Sequence, residues 1–356
     1  MRVLFAAFVL VLAPLPATGQ DRTIDAAIEG AIEDAIRPGF ATFEAEAQSM
    51  AQVVATLCAS PSEEAMAASR DQFDKLVDAW GRVEFIRLGP LSQDNRLERI
   101  LFWPDRRGRG LSQIQGVITT GDETALSADT LADKSVAVQG LAALEYALFG
   151  TDSDGIAVGE TPARCAYGEA ISQNVATIAG QLLAGWQAED GIASLWRNPA
   201  DDNPLFRDES EQINGLVKLI GDAFEIIKVQ RIDAVLRDDR ASMRPKSALF
   251  WRSDNWVPSL AANIAGLRAL VDAADLEATV NQERGRFVGA MSFELANAAR
   301  ALGQTDLPVQ AIAEDDEAYG RMTYLRLVVD GLTTVSATRL KEIYDLSSGF
   351  SSLDGD

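Results

Sequence analysis

Apolar residues recur along most of the chain at the spacing of a helix. Ile24, Ala27, Ile28, Ala31, Ile32 and Ile36 keep a 3.6-residue period up to Pro38-Gly39, where a break is expected. A second helix is predicted over about 41–58. Ser60-Pro61 then reads as an N-cap and an N1 proline, with Glu63 and Glu64 in a first turn where the helix dipole favours them. That third helix should run to about Leu88 and stop at Gly89-Pro90. Later helical patterns end at Gly150 or cover about 162–189, 209–236, 259–273, 278–302 and 316–344. Strand patterns are nearly absent.

Two stretches lack this regularity, about 89–126 and 240–257. The first holds Phe102-Trp103-Pro104-Asp105 and the second holds Phe250-Trp251-Arg252-Ser253. Long irregular stretches inside compact helical proteins are usually functional or packed as elaborate loops. The chain therefore reads as all-α, with two helical-bundle domains of about four helices each. The expected division is a leader at 1–19, an N-terminal bundle at 20–195 and a C-terminal bundle at 207–356, joined through WRNPADDNPLF. Each half pairs long helices with one aromatic, arginine-bearing loop, which hints at internal duplication.

The leader reading rests on three features in order. Met1-Arg2 is positive, Val3 to about Leu15 is apolar, and Ala17-Thr18-Gly19 offers small residues for cleavage. The apolar run is short for a bilayer span, and no later run reaches about 18 residues. No cysteine follows it, so a lipid anchor is not expected. Export to the periplasm gives meaning to Cys58 and Cys165, the only two cysteines, which should form a disulfide.

Charge and composition narrow the chemistry. The net charge is −21, and loss of Arg2 with the leader makes the remainder more negative still. Nucleic acid and anionic membrane surfaces are therefore poor partners. The chain has no histidine. No Ser-His-Asp triad and no His-ligated zinc site can exist in it. Any metal would need oxygen ligands. Asp152-Ser153-Asp154-Gly155 matches the start of a calcium loop, but the later ligand positions are missing, so a plain turn is expected.

One carboxylate stands out. In QGLAALEYALFG, Leu141, Leu144 and Leu148 make one helical stripe, and Glu145 lies on or beside it. A buried unpaired carboxylate is costly, so Glu145 needs a partner. Arg96, Arg99 and Arg252, in the two irregular stretches, are the natural choices.

Several of these segments resemble the imelysin-like family. They are Trp80, Gly89-Pro90, Asn95-Arg96, Phe102-Trp103-Pro104-Asp105, Gly140 through Tyr146, Arg164-Cys165-Ala166-Tyr167 and Arg252-Ser253. The resemblance implies an exported protein of two helical halves with a functional site near their junction. Family members include an insulin-cleaving metallopeptidase prototype, iron-regulated proteins and a periplasmic component of an iron-uptake system. The family hallmark is G-x-H-x-x-E. Here Gly140 and Glu145 match it, and Ala142 stands where the histidine belongs.

That departure shifts the expected function. One carboxylate is a poor metal site, and a zinc-water catalyst needs three protein ligands. The resemblance, read with this loss, implies a non-catalytic binding or accessory protein in periplasmic iron or other metal acquisition. A divergent metallopeptidase and a structural or protein-interaction module stay open. The candidate cleft residues are Glu145, Gly140, Asn95, Arg96, Asp105, Arg252 and Ser253, with Glu145 the candidate metal ligand. The cofactor is unknown; iron or another metal would be held by oxygen ligands. A small molecule, a metal chelate, or a periplasmic or outer-membrane protein is the expected partner. Trp80, Phe102 and Trp103 are expected in the core. Arg106-Arg107-Gly108-Arg109 should form an exposed turn. Glu314-Asp315-Asp316-Glu317 should mark a helix start.

Overall fold

The computed structural model describes residues 23–105 and 107–346. The leader expected at 1–19 lies outside the described residues, as does Arg106. Helices dominate, and no strand occurs among the described residues. The longer ones are α1 (Ile24–Gly30), α2 (Arg37–Ala59), α3 (Glu63–Gly81), α4 (Arg109–Thr120), α5 (Leu141–Phe149), α6 (Pro162–Gln187), α7 (Glu209–Glu225), α8 (Trp256–Ala274), α9 (Gln282–Gly303) and α10 (Asp316–Thr334). No described helix is long and apolar enough to cross a membrane.

The break expected at Pro38-Gly39 does not occur. A π-helical segment, Ala31–Ile36, joins α1 to α2 without interruption. Its wider turn lets Arg37 N–H donate to Ile32 O, five residues back, and Pro38 then begins the α-helical path, where its missing N–H costs little. Gly39 serves packing instead, because a Cβ there would lie 2.7 Å from Val83 Cγ1. The cap of α3 is Ser62, whose hydroxyl accepts from Ala65 N–H, and not Ser60. Glu63 and Glu64 do fall in its first turn. α3 ends at Gly81, seven residues before the expected stop. The Gly81 carbonyl accepts from the Asn263 side chain at 2.7 Å, which takes it out of the helical ladder. The chain then turns.

α2 packs along α6 and against α3, and α5 lies across α3 and α6. The Cys58–Cys165 disulfide staples α2 to α6, with Cα atoms 5.6 Å apart. In the C-terminal half α9 packs between α8 and α10. The halves share one continuous core. α8 packs on α3 and on Ala31–Ile36, and α1 packs on α7 and α8. Two glycines allow the closest approaches. A Cβ at Gly266 would lie 2.2 Å from Arg82 O, and one at Gly81 would lie 2.7 Å from Ala262 Cβ.

The stretch 196–206 is packed and not extended. Trp196 is buried, stacks on Phe206 with ring centroids 5.6 Å apart, and donates through Nε1 to Gln212 O at 3.0 Å. A buried ion pair, each partner 3% exposed, joins Glu84 in the turn after α3 to Arg231 in the π-helical segment Ile226–Asp233 that continues α7, and Asn263 of α8 donates to Glu84 Oε1 at 2.7 Å.

The disulfide closes a loop with a sequence separation of 107 residues. Replacing both cysteines with serine should lower the unfolding free energy by about 2–4 kcal/mol. An unchanged urea midpoint for the double variant would show that the bridge adds nothing.

Candidate functional site

Glu145 sits in the middle of α5 and is 3% exposed. Its Oε1 accepts hydrogen bonds from Arg252 N–H at 2.9 Å and Ser253 N–H at 3.1 Å. Ser253 Oγ is a third donor at 3.1 Å, its hydroxyl shared with Phe250 O at 3.2 Å. Oε2 accepts no hydrogen bond from a described residue. Its nearest cation is Arg252 Nη1, at 4.0 Å. Burial pushes the Glu145 carboxyl above its ordinary range; the Ser253 donors and the Arg252 charge pull the other way without cancelling it.

Both ends of α5 are fixed. At its start, a Cβ on Gly140 would lie 2.1 Å from Ile100 O and 2.6 Å from Arg99 O, so only glycine permits this approach. Gln139 and Asn174 accept from Arg99 at 2.9 and 3.1 Å, and Tyr167 OH donates to Val138 O at 2.7 Å. At its end, Arg164 donates to Tyr146 O and Ala147 O, and Arg70 donates to Leu148 O. Guanidinium groups thus satisfy the last carbonyls of the helix, at the pole where positive charge is favoured.

The partner loop is equally constrained. Phe250 and Asp254 take left-handed backbone conformations, with φ of 59° and 57°. Asn255 N–H donates to Phe250 O at 3.0 Å, and the Asn255 side chain donates to Ser253 O and to Asp74 Oδ1 on α3. Burial raises the Asp74 carboxyl, and this hydrogen bond partly offsets the rise. Arg252 makes cation–π contacts with two rings, its guanidinium carbon 4.4 Å from the Trp251 centroid and 5.2 Å from that of Tyr146.

A cavity of about 60 Å³ opens beside Glu145. Ala142, Phe102, Trp103, Tyr146 and Trp251 line it, with Arg252 at its half-buried rim. Phe102 and Trp103, expected in the core, wall this cavity, whereas Trp80 is core and packs on Phe43.

Of the seven candidates, Glu145, Arg252 and Ser253 meet directly. Asp105 lines the cavity, but its carboxylate caps α4 by accepting from Arg109 N–H at 3.0 Å and Leu111 N–H at 3.2 Å. Gly140 shapes the helix start. Asn95 is exposed, and Arg96 is held away from the cavity by Pro90 O, Gln93, Asp94 and Gln181. Arg99 is likewise no partner of Glu145, because Gln139 and Asn174 occupy it. α4 itself arose in a stretch expected to be irregular. Asp105 four residues before its start, and the Leu111, Ile114, Ile118 spacing, carry the signal. Asp74 and Asn255 were not candidates; nothing in their local sequence ties them together.

The donor set does not fit a resident zinc or iron. Glu145 and Asp105 are the carboxylates lining the cavity, and no described group of three His, Cys, Asp or Glu could hold a metal ion. Asp315 caps α10 by accepting from Ala318 N–H, so the acidic run there is a helix start.

A model of the imelysin family, a peptidase family by name, matches residues 36–335. The chain belongs to the imelysin family. Its fold is similar to that of an imelysin-like protein from Psychrobacter arcticum 273-4, with a TM-score of 0.74 and 21% identity over 96% of this chain and 100% of that one. It is also similar to a protein named as an iron-regulated protein A precursor from Parabacteroides distasonis ATCC 8503. There the TM-score is 0.72 and the identity 15%, over 92% of this chain and 98% of that one. No curated protein matches the chain. Within the matched residues, Ala142 lines the cavity from the same helix as Glu145.

Two outcomes follow. Gly140→Ala should cost about 1–3 kcal/mol or more in denaturant unfolding, since backbone cannot yield to the new methyl; a neutral variant would contradict the close approach. The second concerns pH. Because the folded Glu145 pKa lies above the unfolded value, the folded state binds more protons between the two values. Glu145 therefore opposes folding increasingly as pH rises from about 4.5 through its folded pKa. The stability of Glu145→Gln relative to wild type should rise over the same window. A pH-independent difference would show that the carboxyl is not raised.

Proposed function

We propose that this imelysin is an exported, non-catalytic binding protein that serves iron or other metal acquisition in the periplasm. The observation that carries the reading is a buried carboxylate half satisfied by protein. Three donors hold Glu145 Oε1, while Oε2 accepts no hydrogen bond from a described residue and Glu145 lines the cavity. A purely structural carboxylate gains most when both oxygens are bonded. The leader pattern at 1–19 supports export. The name of the Parabacteroides neighbour supports a link to iron. Metal would be cargo, bound through Glu145 as one oxygen ligand or brought in by its own chelator. Peptide hydrolysis is not favoured, because the cavity lacks three protein ligands for a zinc-bound water.

A second reading has an observation of its own. Oε1 ties α5 to a loop more than a hundred residues away, so Glu145 also holds the fold together. Glu145→Gln keeps the size and one acceptor, and Glu145→Ala removes both. Thermal shift with Fe³⁺, Cu²⁺ and ferric citrate should show stabilisation of wild type by at least one of them. Glu145→Gln should lose that shift and keep its fold. If both variants respond as wild type does but melt several degrees lower, Glu145 is structural and the binding reading fails.

A further inference from the structure

The outer face of α10 is unusual for so acidic a protein. Among its exposed residues from 320 to 334, Gly320, Thr323, Tyr324, Leu327, Gly331 and Thr334 are uncharged. Asp330 alone carries charge there, and Lys228 Nζ lies 3.3 Å from its Oδ1. Spacings of three and four residues put these positions on one stripe. Leu327 is 68% exposed and Tyr324 44%. Beside them, Phe287 and Met291 of α9 wall a groove against α10, and Phe287 is itself exposed. Exposed apolar surface with charge only at its margins has the composition of an interface centre.

The stripe is complementary to itself about its midpoint, Leu327-Val328. Tyr324 and Gly331 stand at equal distances from that point, as do Gly320 and Val335. Each pair sets a larger side chain against a glycine. A Cβ at Gly320 or Gly331 would meet nothing within 4 Å, so both glycines are open notches in the helix surface. The ends carry opposite charge. Glu317 lies near the start of α10, and Arg339 lies in the π-helical segment Val335–Leu340 that continues it. Within one residue they too are equidistant from the midpoint. Both are exposed, and their ion pairs, with Arg321 and Glu342, are local to the same helical run.

We propose that α10 packs antiparallel on α10 of a second copy, about a twofold axis near Leu327. A twofold axis brings the same patch of both copies together, so the patch must be self-complementary. Tyr324 enters the notch at Gly331 of the second copy, Leu327 meets its own counterpart, and Glu317 reaches Arg339 of the second copy at both ends. A strip about 30 Å long and about two helix diameters wide gives on the order of 600 Å² per copy, about 1,200 Å² in all, the lower bound of specific, stable interfaces. The chain's net charge of −21 opposes association. At about 0.15 M salt the screening length is about 8 Å, so acids far from the contact count for little. The dimer is independent of the cavity beside Glu145.

Sedimentation equilibrium in about 0.15 M salt is the test. Wild type should dimerise with a dissociation constant on the order of 10 μM, as suits an interface of this size. Leu327→Glu and Gly331→Gln should each weaken the dimer by about tenfold or more. Neither should unfold the protein, because Leu327 is already exposed and a side chain at Gly331 enters open space with better helix propensity than glycine. Melting curves at about 1 μM, where wild type is mostly monomeric, check the fold; either variant suffices if the other is not folded. Glu317→Arg should weaken the dimer by about fivefold, and adding Arg339→Glu should restore it to within about twofold of wild type.

A wild-type dimer that the folded Leu327 or Gly331 variant weakens, and that the charge exchange restores, supports the proposal. Wild type that stays monomeric at about 300 μM overturns it and leaves the face to a different protein. A dimer that either folded variant leaves intact also overturns it, because the copies then meet elsewhere. Failure of the charge exchange to restore the dimer overturns the antiparallel pairing, and the proposal with it.

Discussion

One buried carboxylate oxygen ties α5 to a loop more than a hundred residues later in the chain. Glu145 Oε1 takes its donors from Arg252 and Ser253, so burying it requires a loop from the other half to arrive in register. Those donors offset part of the desolvation cost of the charge. Everything around the bond serves to place them. Gly140 lets α5 start against the Arg99-Ile100 backbone, Arg164 and Arg70 finish its last turn, and Asp74 holds the loop through Asn255. The cavity exists because these constraints fix the positions of Glu145 and Trp251 while Ala142 leaves the space between them open.

A second buried charge couples the same halves by different means. Glu84 is paired with Arg231 and bonded by Asn263, yet Arg231 Nε and Nη1 and Asn263 Oδ1 have no hydrogen-bond partner among the described residues. A buried pair with open donors is weak evidence for stability. It fits a role in specifying how α3 meets α8, because breaking one partner leaves a charge stranded in the core.

Much of the fold was legible because its cause is local. Periodic apolar positions located the starts of α6, α7, α8, α9 and α10 to within a few residues; the expected ends near 236 and 344 are reached only through π-helical segments, Ile226–Asp233 and Val335–Leu340, that continue α7 and α10. Export predicted the Cys58–Cys165 bridge. Errors arose where a distant contact overrides a local signal. Pro38 reads as a breaker, but a π-helical turn accommodates it. Leu88 reads as a helix end, but Asn263, far away in sequence, draws the carbonyl of Gly81. The site was legible in part. Glu145, Arg252 and Ser253 follow from a charge on an apolar stripe and from the family motif. Asn95 and Arg96 share that motif context but face the loop, and no spacing rule distinguishes a conformational residue from a lining one.

The contact of Gly266 with the Arg82 backbone bears on how the cavity can change shape. Where two backbones touch, no layer of side chains remains to slide, and hinge or shear closure needs such a layer or a free connecting segment. α8 is seated on the turn after α3 in this way, and Trp196 pins the 196–206 stretch. Exchange at the cavity then falls to rim side chains, chiefly Arg252 and Trp251. Their rotamer motions are far faster than domain opening. Under the proposed function, occupancy would follow ligand concentration with little lag.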